Sequence, residues 1–199
     1  MTAEIAAEAF DGAAQDGEPA RHADQLEILS AEELSRTIHR LASQVLESVA
    51  DSRQLILLGI PTRGVALAQV LAERLQALCG HAVACGSLDP TFHRDDLERV
   101  GTRLATPTAL PESLDGREVV LVDDVIFTGR TVRAALEALQ AWGRPRRVRL
   151  LAMVDRGHRE LPIQPDFCGR TVPTRRQELI ALCLQSIDGK EGVFLLKDA

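Results

Sequence analysis

The sequence is poor in aromatic residues and has no long apolar run. Aromatic side chains make up 3% of the 199 residues, and tyrosine is absent. Nucleic-acid-binding surfaces commonly stack bases on such side chains, so the composition offers little surface of that kind. No apolar stretch approaches the roughly 20 residues that cross a bilayer, and the start of the chain lacks the basic and apolar pattern of a secretory signal. We therefore expect a cytoplasmic protein with no membrane segment.

Cysteine motifs and excess positive charge are also missing. The formal net charge of −6 argues against nucleic-acid binding over the whole surface, although a local basic face remains compatible with it. The cysteines form no CxxC pair and have no histidine at zinc-ligand spacing. We interpret them as small buried side chains in a reducing compartment. These cysteines are Cys79, Cys85, Cys168 and Cys183.

The length suits a single domain of the α/β class. Residues 1–25 are rich in Ala, Glu, Asp and Gly without a periodic apolar face, which predicts a disordered leader. Residues 26–199 then form one domain. Strands alternate with helices through the middle of the chain, so a doubly wound, mainly parallel sheet flanked by helices is expected.

The most informative stretch runs from Val119 to Leu136. Four apolar residues predict a strand buried on both faces, and Asp123 and Asp124 follow it at once. Ligands bind beyond the carboxyl ends of such strands. The turn from Thr128 to Thr131 then begins a helix, whose free N–H groups and dipole favour a phosphate. The alternative is an ordinary strand, turn and helix in which an Asp or Thr serves only as a cap.

A second strand, turn and helix precedes this stretch. The strand Gln54–Ile60 ends in the turn Pro61–Gly64, where Arg63 supplies a planar fork of donors for phosphate oxygens. The long polar segment at residues 89–116 is either a lid that carries Arg94 or a solvated excursion.

Local patterns predict the remaining elements. Ser30 and Glu33 form a capping-box pattern before the first helix. A later helix runs from Thr131 to Trp142 and stops at Gly143. Further strands are predicted at residues 148–154, 179–184 and 193–196, and residues 161–173 are predicted as an irregular segment with Pro and Gly.

Taken together, these segments resemble a known family. VVLVDDVIFTGRT, at residues 119–131, resembles the signature for phosphoribosyl pyrophosphate (PRPP) of the type I phosphoribosyltransferases. GIPTRG (59–64), DPTFHRDDL (89–97) and VDRGHRELPI (154–163) narrow the resemblance to the PyrR family, the bifunctional pyrimidine operon regulators with uracil phosphoribosyltransferase activity. The resemblance implies the type I phosphoribosyltransferase fold, with a flexible loop near residues 89–116 and a small C-terminal hood near 155–180.

The resemblance also implies roles for individual residues. Asp123 and Asp124 would accept hydrogen bonds from the ribose hydroxyls of PRPP and offset a cationic sugar. Arg63, with Thr62, would bind pyrophosphate, and Arg94 would join when the loop closes. Mg²⁺ would be held through PRPP and water with no direct protein ligand. The remaining PRPP contacts are expected from Val125, Ile126, Phe127, Thr128, Gly129, Arg130 and Thr131.

Phe127 bears on the choice of base. Purine enzymes of this superfamily often carry an Asp at that position, so an apolar ring there points to uracil. Arg156 and His158 are the candidates for reading the polar edge of the base, and an ion-paired loop is the alternative for their segment.

The same resemblance implies a regulatory role. Relatives bind the leader mRNA of pyrimidine operons when UMP or UTP is bound, through a basic face on a dimer. Arg40, Arg159 and Arg170 are the candidates for phosphate contacts. A homodimer or a higher homo-oligomer is expected on the same grounds.

Overall fold

The computed structural model describes residues 25–93 and 107–197. Within these ranges, strands and helices alternate from β1 to β3 and again from β4 to β5, and strands dominate the rest. The elements are β1 (Gln25–Leu29), α1 (Ala31–Ser48), β2 (Leu55–Gly59), α2 (Arg63–Cys79), β3 (Ala84–Ser87), β4 (Glu118–Ile126), α3 (Arg130–Leu139), β5 (Arg147–Asp155), β6 (Phe167–Thr171), β7 (Leu179–Cys183), α4 (Gln185–Asp188) and β8 (Gly192–Leu196).

A five-stranded parallel sheet forms the centre, with strand order β3-β2-β4-β5-β6. One face is covered by apolar residues of α1 and α2, and the other by apolar residues of α3. Strand β2 is buried along its whole length, as the continuous apolar pattern predicts for a central parallel strand. The α/β fold class expected from the sequence is therefore confirmed.

A second, antiparallel sheet has the order β1-β8-β7. Strand β1 begins at Gln25, at the predicted edge of the leader, and pairs with β8 near the other end of the chain. The sequence pattern predicts order from Leu26 onward but no strand at this position. The rest of the predicted leader lies outside the described residues, as do residues 94–106 of the long loop.

Several local predictions are confirmed and others need correction. Ser30 caps α1 with the reciprocal Glu33 bonds of a capping box. Strand β4 does not end before the two carboxylates but continues through them to Ile126, because the ladder with β5 persists. Strand β6 occupies part of the predicted irregular segment, where Gly169 lets the backbone pass close to the Met153 carbonyl oxygen. The helix predicted to end at Trp142 becomes a 3₁₀ turn after Leu139.

A charge cluster around buried Glu118 lies at the amino-terminal ends of β4 and β5. Glu118 is 2% exposed and forms ion pairs with Arg146 and Arg149. Burial by itself would raise the pKa of Glu118, but the hydrogen bonds from the two arginines outweigh it and hold the pKa below its usual value. This cluster lies at the opposite end of the sheet from the carboxyl-end turns. Within the described ranges, no helix has the length and apolar character needed to span a bilayer.

Candidate active site

The turn after β4 encloses a pocket at the carboxyl end of the sheet. Its volume is about 280 Å³, and Gly129 in the turn has a φ of +91°, a left-handed conformation that favours glycine. Ten-residue helix α3 begins directly after it, so the positive end of the helix dipole faces this region. The lining residues are Asp123, Val125, Ile126, Phe127, Thr128, Gly129, Arg130, Thr131, Val132 and Glu160.

Asp123 and Asp124 differ in their surroundings. Asp123 is only 6% exposed, and its Oδ1 accepts a hydrogen bond from the Asp124 backbone N at 3.1 Å. Asp124 is partly exposed and does not line the pocket. The two acids therefore lie at one strand end, but only Asp123 faces the pocket.

The turn between β2 and α2 lies against this strand end. A Cβ added to Gly64 would come within 2.4 Å of the Val122 carbonyl oxygen and 3.4 Å of the Asp123 Cα. Glycine therefore allows α2 to start in direct contact with β4. This contact places the backbone of the turn that carries Thr62 and Arg63 beside Asp123, and the Pro61–Thr62 peptide bond is cis.

Arg63 is held by a residue that the sequence analysis did not single out. Its two terminal nitrogens donate to the Asp188 carboxylate at 3.1 Å and 3.0 Å. Arg94, the other cation predicted for this end of the site, lies outside the described residues.

Phe127 is surrounded by the predicted base-reading side chains. The Arg156 guanidinium lies 4.2 Å from the ring centroid, and the His158 ring meets Phe127 edge-on at 5.4 Å. Arg156 is buried and donates to Thr174 Oγ1 at 3.0 Å and to the Arg175 carbonyl oxygen at 2.7 Å. The guanidinium therefore joins the Phe127 ring to residues 174 and 175, and a contact of Arg156 with the base edge stays a prediction.

His158 also contacts residue Thr174. Its Nε2 lies 2.7 Å from the Thr174 carbonyl oxygen, and its backbone has a φ of +62°. The contact assigns Nε2 as the donor, which leaves Nδ1 as an acceptor in the neutral ring. Of the two predicted side chains, His158 keeps one ring nitrogen for a ligand.

Arg159 points inward rather than toward solvent. It donates to the Phe127 carbonyl oxygen at 2.8 Å, to the Ile163 carbonyl oxygen at 2.8 Å and to Asp155 Oδ2 at 2.6 Å. The side chain is 13% exposed. The guanidinium is therefore occupied by the loop that it stabilises, and a contact of Arg159 with RNA stays a prediction.

The other two predicted RNA contacts are exposed but differ in their partners. Arg40 donates to the Gly169 carbonyl oxygen at 2.6 Å and so covers part of the edge strand β6. Arg170 lies exposed on β6. The predicted basic face therefore keeps Arg170, with Arg40 beside it already engaged with the strand.

Glu160 joins the turn after β4 to Arg176, a role that the sequence pattern does not predict. Its carboxylate accepts from Arg130 Nε at 2.9 Å and from Arg176 Nη2 at 3.1 Å, and these hydrogen bonds lower the pKa of Glu160. Its backbone N also donates to the Thr128 carbonyl oxygen at 3.0 Å. In the sequence, the available signal for Glu160 is its place directly after Arg159 in the DRGHRE segment.

Comparisons with known proteins agree with this architecture. The phosphoribosyl transferase domain family matches residues 24–177. The bifunctional protein PyrR of Nostoc punctiforme is 54% identical over 173 residues, which cover 87% of this chain and 97% of that protein. The chain belongs to the PyrR family of phosphoribosyltransferases. A more distant PyrR, from Corynebacterium glutamicum, is 44% identical over 183 residues, which cover 89% of this chain and 95% of the relative.

Solved structures support the fold of this PyrR-family chain. A hypoxanthine-guanine phosphoribosyltransferase from Bacillus anthracis aligns with a TM-score of 0.66 at 15% identity, covering 86% of this chain and 98% of that one. A hypoxanthine phosphoribosyl transferase from Trypanosoma cruzi gives a TM-score of 0.66 at 15% identity, covering 86% and 91%. At such low identity the likeness concerns the type I phosphoribosyltransferase fold alone.

Proposed function

We propose that the protein transfers the phosphoribosyl group of PRPP to uracil, giving UMP and pyrophosphate. The observation that carries the proposal is the pocket after β4, where a helix start, Asp123 and the Phe127 ring lie together. In the reaction, the bond between C1 of the ribose and the pyrophosphate oxygen breaks with its electron pair leaving on pyrophosphate. A bond from a uracil nitrogen to C1 forms, and that nitrogen loses its proton.

The phosphate cradle is assigned to the turn from Thr128 to Thr131. Backbone N–H groups at the start of α3 and the two threonine hydroxyls would hold the 5-phosphate, with Val125 and Ile126 forming the wall beneath the ribose. Asp123 and Asp124 would accept hydrogen bonds from the ribose hydroxyls. Their negative charge stabilises the positive charge that builds on the sugar as the bond to pyrophosphate breaks.

The pyrophosphate end is assigned to Thr62 and Arg63. Arg63 would stabilise the charge on the leaving group, and we keep Arg94 as a further contact from the long loop. Mg²⁺ would enter with PRPP and neutralise part of the pyrophosphate charge. It would be held by pyrophosphate oxygens, ribose hydroxyls and waters with no direct protein ligand, since Mg²⁺ keeps several waters and takes few protein ligands.

Phe127 supports uracil as the acceptor. The side chain lines the pocket with an apolar ring where a purine enzyme would often carry a carboxylate. The ring is also packed against Arg156, so it is a fixed wall rather than a mobile side chain. His158 is assigned to the base edge through Nδ1, because its other ring nitrogen, Nε2, contacts the Thr174 carbonyl oxygen.

A second function is favoured by the PyrR relatives, whose name states that they are bifunctional. We propose that uridine nucleotides, UMP or UTP, promote binding of this chain to the leader mRNA of a pyrimidine operon. Arg170 supplies an exposed cation for a phosphate contact, and Arg40 lies on the helix beside the same strand. The same proposal includes a homodimer or a larger homo-oligomer. It also includes a single domain at residues 26–199 and a cytoplasmic location.

The enzymatic proposal is tested by measuring UMP formation from uracil and PRPP with Mg²⁺. Asp124→Asn is expected to lower turnover by orders of magnitude without unfolding, because the carboxylate charge is lost while the shape is kept. Glu191→Gln removes an exposed carboxylate at a distance from the motif and serves as the control. PRPP binding without UMP formation by the unaltered protein would exclude this activity and leave a nucleotide-sensing module as the alternative.

A further inference from the structure

Asp188 connects the last part of the chain to the turn between β2 and α2. Its Oδ2 accepts from Arg63 Nη1 at 3.1 Å, and its Oδ1 accepts from Arg63 Nη2 at 3.0 Å. The same Oδ2 accepts from the Leu184 backbone N at 2.9 Å. The Leu184 backbone N–H therefore fixes the Asp188 carboxylate, and both carboxylate oxygens accept hydrogen bonds from the Arg63 guanidinium.

The pair is shielded from solvent more than a surface ion pair is. The Arg63 side chain is 32% exposed and the Asp188 side chain is 16% exposed. A bidentate contact fixes both the position and the plane of a guanidinium, which a single hydrogen bond does not. Arg63, otherwise a long side chain with many rotamers, is held in one arrangement.

This arrangement leaves part of the guanidinium for another anion. A guanidinium has five N–H donors in a fixed fork, and Asp188 takes one from each terminal nitrogen. The Nε–H and the outer hydrogens of the two terminal nitrogens point along other edges of the same plane. A phosphate oxygen that approaches one of these edges meets a donor already in place.

We propose that Asp188 is a positioning residue for the pyrophosphate end of the site. The proposal rests on the function proposed above, in which Arg63 contacts the pyrophosphate of PRPP. Asp188 itself touches no substrate. It removes the entropy loss of ordering Arg63 when the ligand arrives, which strengthens binding at that end.

The test is calorimetric titration of the Asp188→Asn variant with pyrophosphate and Mg²⁺, and separately with UMP. The Asn side chain keeps an oxygen that can accept from the Leu184 backbone N–H. It loses the negative charge and the second oxygen that accepts from Arg63. We expect pyrophosphate affinity to fall by about three- to tenfold, the effect of releasing one rotamer-rich side chain. UMP carries the 5-phosphate but no pyrophosphate, so its affinity should not change.

Two further variants separate positioning from general damage. Glu191→Gln removes one exposed carboxylate three residues away and controls for the change in net charge. In an Arg63→Ala background, Asp188→Asn should have no further effect on pyrophosphate affinity, because Asp188 acts through Arg63.

Unchanged or tighter pyrophosphate binding, an equal loss of UMP affinity, or additive effects in the double variant would each overturn the proposal. Pyrophosphate binding needs no base, so the result is independent of the uracil assay. A protein that forms no UMP but loses pyrophosphate affinity in Asp188→Asn would contradict the proposed activity and keep this role. Absence of pyrophosphate binding by the unaltered protein would overturn the role of Asp188 directly.

Discussion

The Arg156 guanidinium lies 4.2 Å from the centroid of the Phe127 ring and links that ring to the hood. Two further contacts of Arg156, with Thr174 and the Arg175 carbonyl oxygen, fix its position. The wall proposed for the uracil ring thus depends on a buried cation from the next strand end.

Arg156→Met is expected to raise the KM for uracil about tenfold while the KM for PRPP changes little. Methionine keeps much of the volume but loses the cation–π contact, whose strength is about 0.5–2 kcal/mol, and the bonds to the hood. Steady-state kinetics with each substrate varied in turn checks this. Arg175→Met, at an exposed position in the hood, is the matched control, and equal rises in both KM values would contradict the assigned role.

Arg159→Ala is expected to destabilise the protein, which an RNA-contacting surface residue would not do. The guanidinium is shielded and donates to Asp155 and the Phe127 carbonyl oxygen, so its removal leaves partly buried acceptors unpaired at a cost of about 1–3 kcal/mol. Urea denaturation measures the free energy of unfolding.

Arg170→Ala is the matched comparison for Arg159→Ala. Arg170 is exposed, so its free energy of unfolding should change by less than about 0.5 kcal/mol. With a pyrimidine-operon leader RNA, the plot of log affinity against log salt should become shallower by about one unit, as for the loss of one phosphate contact. An unchanged salt dependence would remove Arg170 from the RNA face.

Gly64→Ala is expected to reduce the free energy of unfolding by about 1–3 kcal/mol and to weaken PRPP binding. A Cβ there would lie 2.4 Å from the Val122 carbonyl oxygen, and its nearest neighbours are all backbone atoms, so the start of α2 must move away from β4. Denaturation and PRPP titration together check the effect. Unaltered stability would show that the start of α2 does not make the described contact with β4.

Glu118→Gln is expected to lower stability at neutral pH by about 2–4 kcal/mol, because two arginines lose a buried carboxylate. The pKa of Glu118 in the folded protein lies below its ordinary value of 4.5. Its contribution to stability is therefore present above about that pH and is lost as the pH falls through the lower folded-state value. The variant should show a flatter loss of stability between neutral and acid pH, and parallel curves for the two proteins would contradict the assignment.

The sequence was sufficient for elements with strong local signals. The capping box at Ser30, the apolar strand β2 and the turn at Gly129 each rest on neighbouring residues. The length of β4 was missed because pairing with β5 keeps Asp123 and Asp124 in the ladder, although aspartate has little preference for strands. Strand β6 was missed because its short, glycine-containing run is stabilised by the edge of β5 and not by its own pattern.

The site shows the same division. Most of residues 123–131 line one pocket because they are contiguous in the chain, although Asp124 does not. The partners of Arg63 and Arg159 were not foreseeable, because a guanidinium on a turn looks the same in sequence whether it faces solvent or a carboxylate. Asp188 is 125 positions away from Arg63 in the chain, and only the packing of α4 brings the two together.

The central claim, transfer of a phosphoribosyl group to uracil, is tested most directly by one comparative assay. The purified full-length chain is incubated with PRPP, Mg²⁺ and one base at a time, and nucleotide formation is measured for uracil, hypoxanthine, guanine and orotate. The account predicts UMP from uracil and no more than trace product from the other three bases. Product from hypoxanthine or guanine at a rate equal to or above that with uracil would contradict it.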